Sequence, residues 1–193
     1  MPNYKPLFKK NLLMMIILVF FILVVILFIN FLYDKKSPSV SLGGSFILTD
    51  QNGEIFNSSK VNLKKLIYFG YTYCPDICPF DLLKISKIFE NNPNLKSEIK
   101  PVFITVDPER DTIKNLKIFM ENFDQSFVAL TGTNEEIKKV LKKFRIYVKL
   151  NKSNPADKDY LIDHSSLIFL LDKNDNYIKF FRPNELKENI ALN

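Results

Sequence analysis

The chain has 193 residues, 47% of them hydrophobic, and carries 27 Lys and Arg against 21 Asp and Glu, a formal net charge of +6. Only Arg110, Arg145 and Arg182 supply arginine, so the charge lacks the arginine-bearing, aromatic-interleaved stripe of a nucleic-acid binder, and nucleic acid is not expected as a partner. Abundant Lys, Asn, Ile and Phe beside scarce Ala and Arg look like a genome composition bias and argue against an Arg- and Ser-rich transit peptide.

Residues 12–29 are apolar without a Gly, Pro or charge, and Phe31, Leu32 and Tyr33 extend the run past Asn30. A helix rises ~1.5 Å per residue and a bilayer core is ~30 Å thick, so the run is long enough to span it. A secretory signal peptide has an apolar region of only about 7–15 residues, ending in small residues. Here no alanine precedes Ala129 and the run ends in Tyr33-Asp34-Lys35-Lys36. This predicts an uncleaved transmembrane anchor over residues 12–33, held in the lipid bilayer. Lys5, Lys9 and Lys10 precede it, while Lys35 and Lys36 follow beside Asp34, a small bias toward a cytoplasmic tail at residues 1–11. Everything beyond a Ser- and Pro-bearing linker, residues 34–42, is then expected outside the cytoplasm.

Residues 43–193 are a normal size for one domain with its own core. Residues 46–49 and 54–56 flank Asp50-Gln51-Asn52-Gly53, a hairpin signal because Asn-Gly supplies residues that tolerate positive φ. The compact apolar run at 66–71 predicts a buried strand. Residues 80–89 have helical spacing, with Leu82, Leu83, Ile85, Ile88 and Phe89 apolar. A second buried strand is expected over 101–106, a second helix over 113–123, a short strand over 127–130 and a helix over 135–144. That last helix alternates Lys138, Lys139, Lys142 and Lys143 with Ile137, Val140, Leu141 and Phe144, an amphipathic pattern with a solvated face. Strands over 166–171 and 177–181, joined by a turn at 172–176, close the chain. Strands alternating with helices, then a terminal hairpin, predict an α/β, thioredoxin-like fold with an added N-terminal β-hairpin, preceded by one transmembrane helix.

The only two cysteines, Cys74 and Cys78, fall in Tyr73-Cys74-Pro75-Asp76-Ile77-Cys78-Pro79, where the buried strand hands over to a helix. Pro79 fits the first helical turn, where its missing N–H costs little. The free N–H groups and partial positive charge of a helix start are expected to favour thiolate over thiol. Residues at i and i+4 share a helix face with Cβ atoms ~5–6 Å apart, whereas a disulfide prefers ~3.5–4.5 Å. The spacing therefore suits two sulfurs holding one metal, and closes into a disulfide only if the turn distorts. A Cys-x-x-Cys redox motif has one residue fewer. Two structural readings stand beside these: a stabilising disulfide, whose short loop gains little chain entropy, and two core cysteines, which give no reason for a Pro after each.

Two sulfurs leave a coordination set incomplete, and the chain holds one histidine, His164, in Leu161-Ile162-Asp163-His164-Ser165-Ser166. A lone histidine is ordinarily a surface or core residue. This one precedes a buried strand, in a loop that can reach the same sheet end as the cysteines. A Cys₂His set is too small for a closed structural zinc site. Two thiolates and one imidazole suit copper, since thiolate selects Cu(I) and imidazole also accepts Cu(II). Asp163 is either the orienting partner of the imidazole or an exposed loop carboxylate.

Four blocks carry a resemblance: Gly43-Gly44-Ser45-Phe46 with Leu48, Asp50 and Gly53; residues 69–79 around the cysteines; Val106-Asp107-Pro108-Glu109-Arg110-Asp111-Thr112; and Asp163-His164-Ser165. Together they resemble the Sco/SenC copper-binding proteins that assist cytochrome c oxidase assembly, over nearly the whole domain. The resemblance implies an inner-membrane protein, single-pass, whose thioredoxin-like domain faces the periplasm, or the intermembrane space if mitochondrial. It also implies that Cys74, Cys78 and His164 bind copper, Cu(I) or Cu(II), for delivery to the binuclear copper site of oxidase subunit II, or for thiol reduction there. A periplasmic copper donor is a further implied partner. In the middle block, Asp107-Pro108 reads as a turn and Asp111 or Thr112 as a helix cap. The chain departs from the family near its end, where Phe180-Phe181-Arg182-Pro183-Asn184 stands in place of an expected glycine.

The resemblance makes the chain a metallochaperone rather than a turnover enzyme. The enzyme alternative is a thiol–disulfide oxidoreductase using Cys74 and Cys78 as a dithiol couple on the cysteines of that subunit. A peroxiredoxin is disfavoured because Thr72 stands two residues before Cys74 and the Pro-x-x-x-Thr-x-x-Cys pattern is absent. The oxidase copper subunit itself needs a second His and a nearby Met, and the chain has no such pair. Metal binding needs the imidazole of His164; disulfide exchange does not.

Overall fold

The apolar run near the amino terminus forms one continuous helix, α1 (Lys5–Asp34), in the computed structural model, which describes residues 5–34, 42–154 and 156–186. Within it Leu12–Asn30, 19 residues, is long and apolar enough to cross a membrane and is not buried against protein. The chain divides into two units, Met1–Val40 and Ser41–Asn193. Most of the expected linker lies outside the described residues.

The second unit opens with a hairpin, β1 (Ile47–Asp50) and β2 (Ile55–Asn57), paired antiparallel. Its turn is closed by the Asp50 side chain, whose Oδ1 accepts the N–H groups of Asn52 (2.8 Å) and Glu54 (2.9 Å). Within this turn only Gly53 takes a positive φ, 85°, and Asn52 does not, because the carboxylate already fixes the backbone there.

Then follow β3 (Lys64–Gly70), α2 (Ile77–Asn91), β4 (Ile99–Thr105), α3 (Ile113–Met120), β5 (Val128–Thr131) and α4 (Asn134–Phe144). The chain continues through β6 (Val148–Asn151), β7 (Leu161–His164), β8 (Ile168–Leu171) and β9 (Tyr177–Phe181). Seven strands form one sheet in the order β2-β1-β5-β4-β3-β8-β9, with β3, β4 and β5 parallel and β1, β8 and β9 antiparallel to their neighbours. The central strands are buried along their length, which is why they read as unbroken apolar runs.

One face packs on α4, where Phe144 meets Phe69 and Phe169 at ring-centroid distances of 5.2 and 5.3 Å. On the other face Phe103 lies 5.8 Å from Phe119 of α3, and the Tyr68 hydroxyl donates to Asp81 of α2 at 2.9 Å. Thr112, not Asp111, caps α3 by accepting the Asn115 N–H, and Thr133 forms a capping box with Glu136 at the start of α4. The lysine face of α4 is exposed, while Ile137, Val140 and Phe144 are buried.

Two features were not expected from sequence. The strands β6 and β7 pair with each other as a separate antiparallel ribbon, which places His164 at the end of a strand rather than in a loop. At the far end of β3, Lys65 and Asp175 form an ion pair of 2.9 Å with both side chains fully buried. Lys65 also donates to the Lys173 carbonyl, and Asp175 accepts from Ser58 at 2.7 Å, so the pair joins β3 to the β8–β9 turn and the segment after β2.

Candidate functional site

Gly70 ends β3, and its missing side chain shapes the site. A Cβ there would lie 3.1 Å from the Cys78 sulfur, 3.0 Å from Phe103 Cε2 and 3.2 Å from Tyr68 Cε1. The bare backbone lets the first turn of α2 settle on the strand with the Cys78 sulfur fully buried.

Only Cys78 belongs to the helix. Cys74 sits half-buried in the loop between Gly70 and Ile77, where its N–H donates to the Tyr71 carbonyl at 3.3 Å. This corrects the expectation of two cysteines on one helix face. Pro75 disfavours helical backbone at Cys74, and Asp76, at φ −141° and ψ −83°, is not helical, so α2 begins after them. Both cysteines are free thiols.

The expectation of a helix-favoured thiolate is also corrected at Cys78. Burial pushes this thiol up to about 12; Cys74 adds to the rise, and a hydrogen bond involving the Tyr71 backbone opposes it. Loss of water around the sulfur outweighs the helix N-terminus. Beneath it, burial, reinforced by Cys78 and Asp81, raises the Tyr68 hydroxyl, and burial raises the Asp81 carboxyl.

His164 reaches this sulfur from 86 residues away: its Nε2 lies 3.3 Å from Cys78 Sγ. Its Nδ1 lies 3.3 Å from the Ser165 carbonyl. A carbonyl oxygen only accepts, so Nδ1 carries the proton and Nε2 turns its lone pair toward the Cys78 S–H. Burial holds the imidazole below its ordinary value, opposed by the Ser165 carbonyl and the charges of Asp81 and Asp163. The ring is therefore neutral at neutral pH, the form that can ligate a metal. Asp163 is exposed, and the Ser165 carbonyl holds the orienting position that a carboxylate was one candidate for. Tyr71 stands edge-on to the imidazole, with centroids 6.0 Å apart, and its hydroxyl accepts the Ile162 N–H.

The middle block, read from sequence as a turn and a cap, anchors the cysteine loop. Asp111 is fully buried and accepts the Thr72 N–H (3.1 Å), the Thr72 hydroxyl (2.6 Å) and the Thr105 hydroxyl (2.6 Å). Burial nevertheless pushes its carboxyl up to about 6. Asp107 is buried as well, against Arg110 and Tyr160.

The donor chemistry suits a thiophilic ion. Metal–sulfur and metal–imidazole bonds of ~2.0–2.3 Å together exceed the 3.3 Å between Cys78 and His164, so one ion can be shared without separating them. Among the described residues, no three His, Cys, Asp or Glu side chains are already gathered at metal-holding distance. Cys78 and His164 are brought together; Cys74 is left on its loop beside them.

A family model described as SCO1/SenC matches residues 34–193. An SCO2-like protein of Rickettsia prowazekii is 50% identical over 151 residues, 78% of this chain and 72% of that protein. The solved structure of copper-bound ScoI from Bradyrhizobium japonicum superposes with a TM-score of 0.71 at 37% identity, covering 79% of this chain and 96% of that one. BsSco, a member of the Sco family of cytochrome c oxidase assembly proteins in which a disulfide switch was identified, shares the fold with a TM-score of 0.60 at 24% identity, covering 78% and 88%.

Proposed function

The chain belongs to the SCO1/SenC family, and on that premise we propose that it is a membrane-anchored copper chaperone serving the binuclear copper site of cytochrome c oxidase subunit II. Copper is its cargo, held one ion at a time by Cys74, Cys78 and His164. The observation that carries this reading is the 3.3 Å approach of His164 Nε2 to Cys78 Sγ, between segments far apart in sequence. A dithiol couple has no need of that imidazole.

Each residue has a stated part. His164 offers a neutral Nε2, fixed by the Ser165 carbonyl on its other nitrogen. Cys78 offers a sulfur preset against that ring and gives up its proton when it ligates. Cys74, on a loop outside the helix, closes onto the shared ion as the third donor. Residues 12–33 hold the protein in the bilayer with residues 1–11 in the cytoplasm. Residues 34–42 tether the copper-binding domain, 43–193, on the periplasmic side of the inner membrane, or the intermembrane-space side in a mitochondrion. A copper donor is then expected in that compartment.

The second reading is a thiol–disulfide oxidoreductase acting on the cysteines of subunit II, favoured by two cysteines that are both free. His164→Ala separates the two. The expected result for the detergent-solubilised protein is strongly weakened Cu(II) binding with an unchanged fold and unchanged disulfide exchange. Wild-type Cu(II) affinity in that variant overturns the three-ligand set. A reporter fused after Asn193 is expected to be active only outside the cytoplasm, and cytoplasmic activity overturns the orientation.

A further inference from the structure

The cysteine loop and the histidine ribbon are held together by a third segment that carries none of the three ligands. Arg110 lies between them. Its Nε donates to Asp107 Oδ2 at 2.5 Å, and Asp107 Oδ1 accepts the Tyr160 hydroxyl at 2.7 Å. Its Nη1 donates to the Lys158 carbonyl at 3.1 Å. The guanidinium carbon stands 3.5 Å from the Tyr160 ring centroid, 4.9 Å from that of Tyr73 and 5.8 Å from that of Tyr71. Tyr71 and Tyr73 belong to the cysteine loop; Lys158 and Tyr160 lead directly into β7 and His164. Tyr71 is itself bonded to Ile162, two residues before His164.

A turn and a helix cap account for Asp107, Pro108 and Thr112 but leave Arg110 without a task. Its Nη2 is buried with no hydrogen-bond partner, and three tyrosine rings stand around the guanidinium carbon. Only a planar guanidinium can stack on rings from two segments while donating in its own plane to a carboxylate and a carbonyl; an ammonium is a point charge.

We propose that Arg110 is a positioning residue of the copper site: it clamps the Cys74 loop to the strand that carries His164, and so keeps the imidazole opposite Cys78. The inference rests on the copper-binding reading above and adds a residue to it. Arg110 acts through His164 without touching copper. Removing it lets the two ligand-bearing segments shift independently, and the ion loses its imidazole first.

The test is a double-mutant cycle on the detergent-solubilised full chain, reading Cu(II) affinity and the Cu(II) electron paramagnetic resonance spectrum. Arg110→Gln is expected to weaken Cu(II) by about 10–100-fold, the usual effect of losing a partner that orients a metal ligand, and to change the spectrum. Arg110→Lys is expected not to restore either. In a His164→Ala background, Arg110→Gln is expected to have little further effect, because the group it positions is gone. A brace that merely stabilises the fold weakens binding equally in both backgrounds, and that result overturns the proposal, as does wild-type binding by Arg110→Gln or full rescue by lysine. Wild-type Cu(II) affinity in His164→Ala alone sinks the ligand set, and this role with it. If Arg110→Gln does not fold, Tyr160→Phe takes its place. It keeps the ring but loses the bond to Asp107, and a smaller loss is expected that also vanishes without His164.

Discussion

Gly70→Ala isolates how closely the strand must approach the buried sulfur. Gly70 does not have a positive φ, so an alanine there carries no backbone strain and acts only through its added Cβ. That carbon meets Cys78 Sγ at 3.1 Å, Phe103 Cε2 at 3.0 Å and Tyr68 Cε1 at 3.2 Å, where ordinary contact starts at 3.4 Å. All three neighbours are completely buried, so none can rotate into solvent. Overpacking of this kind costs about 1–3 kcal/mol. For a domain of this size that lowers Tm by roughly 2–12 °C. The sulfur must also retreat by 3.4 − 3.1 = 0.3 Å to regain normal contact. It then loses its register with His164, and copper affinity is expected to fall by about tenfold, the low end for disturbed ligand support. Circular dichroism melting and Cu(II) titration measure the two effects. Phe103→Leu, added to Gly70→Ala, removes one of the three clashes and should recover part of the stability. Wild-type Tm together with wild-type copper affinity in Gly70→Ala refutes the packing argument.

Because the Cys78 thiol is held up to about 12 by burial, ligation must displace its proton across the whole accessible range. Copper affinity is therefore expected to rise with pH, by about tenfold per pH unit for each thiol proton released, and a pH-independent affinity contradicts a Cys78 ligand. Asp111 has a carboxyl raised from 3.8 to about 6, mainly by burial. A raised folded value means its contribution is fully present below the unfolded value and lost as pH rises through about 6. Asp111→Asn is expected to flatten the stability change between pH 4 and 6, measured by chemical denaturation of the metal-free protein; an unchanged slope refutes the assignment. Lys65→Met strands the Asp175 charge in the core and is expected to cost about 3–5 kcal/mol, whereas Lys65→Met with Asp175→Asn, which removes that charge but tolerates the positive φ of 65° and still accepts from Ser58, should cost less. Equal losses in the single and double variants rule out the buried pair as the cause.

The central sheet was readable from the chain because β3, β4 and β8 are buried on both faces and so keep uninterrupted apolar runs. α4 was readable for the opposite reason, its lysines and core residues separating cleanly by face. The ribbon was not. Val148, Lys149, Leu150 and Asn151 are largely exposed, so pairing with β7, rather than any burial pattern, makes them a strand. The meeting of the cysteine block and the lone histidine was expected from which sheet end each segment reaches. The protonation of Cys78 was not, since helix polarity is visible in the sequence and the burial that outweighs it is a property of the packed fold. The Arg110, Asp107 and Tyr160 assembly was equally hidden: Tyr160 lies 53 residues beyond Asp107, in a stretch with no strand signal of its own.

The buried Lys65–Asp175 pair also constrains how this lineage can change. Either charge lost alone leaves the other stranded without water, so a replacement by uncharged side chains must cross a poorly folded intermediate unless both codons mutate together. The pair thus acts as a ratchet: single substitutions are penalised, and only a paired change leaves it cheaply. It fastens β3 near its start, whereas the buried sulfur meets the strand at its last residue, so the constraint falls on the scaffold and not on the metal site.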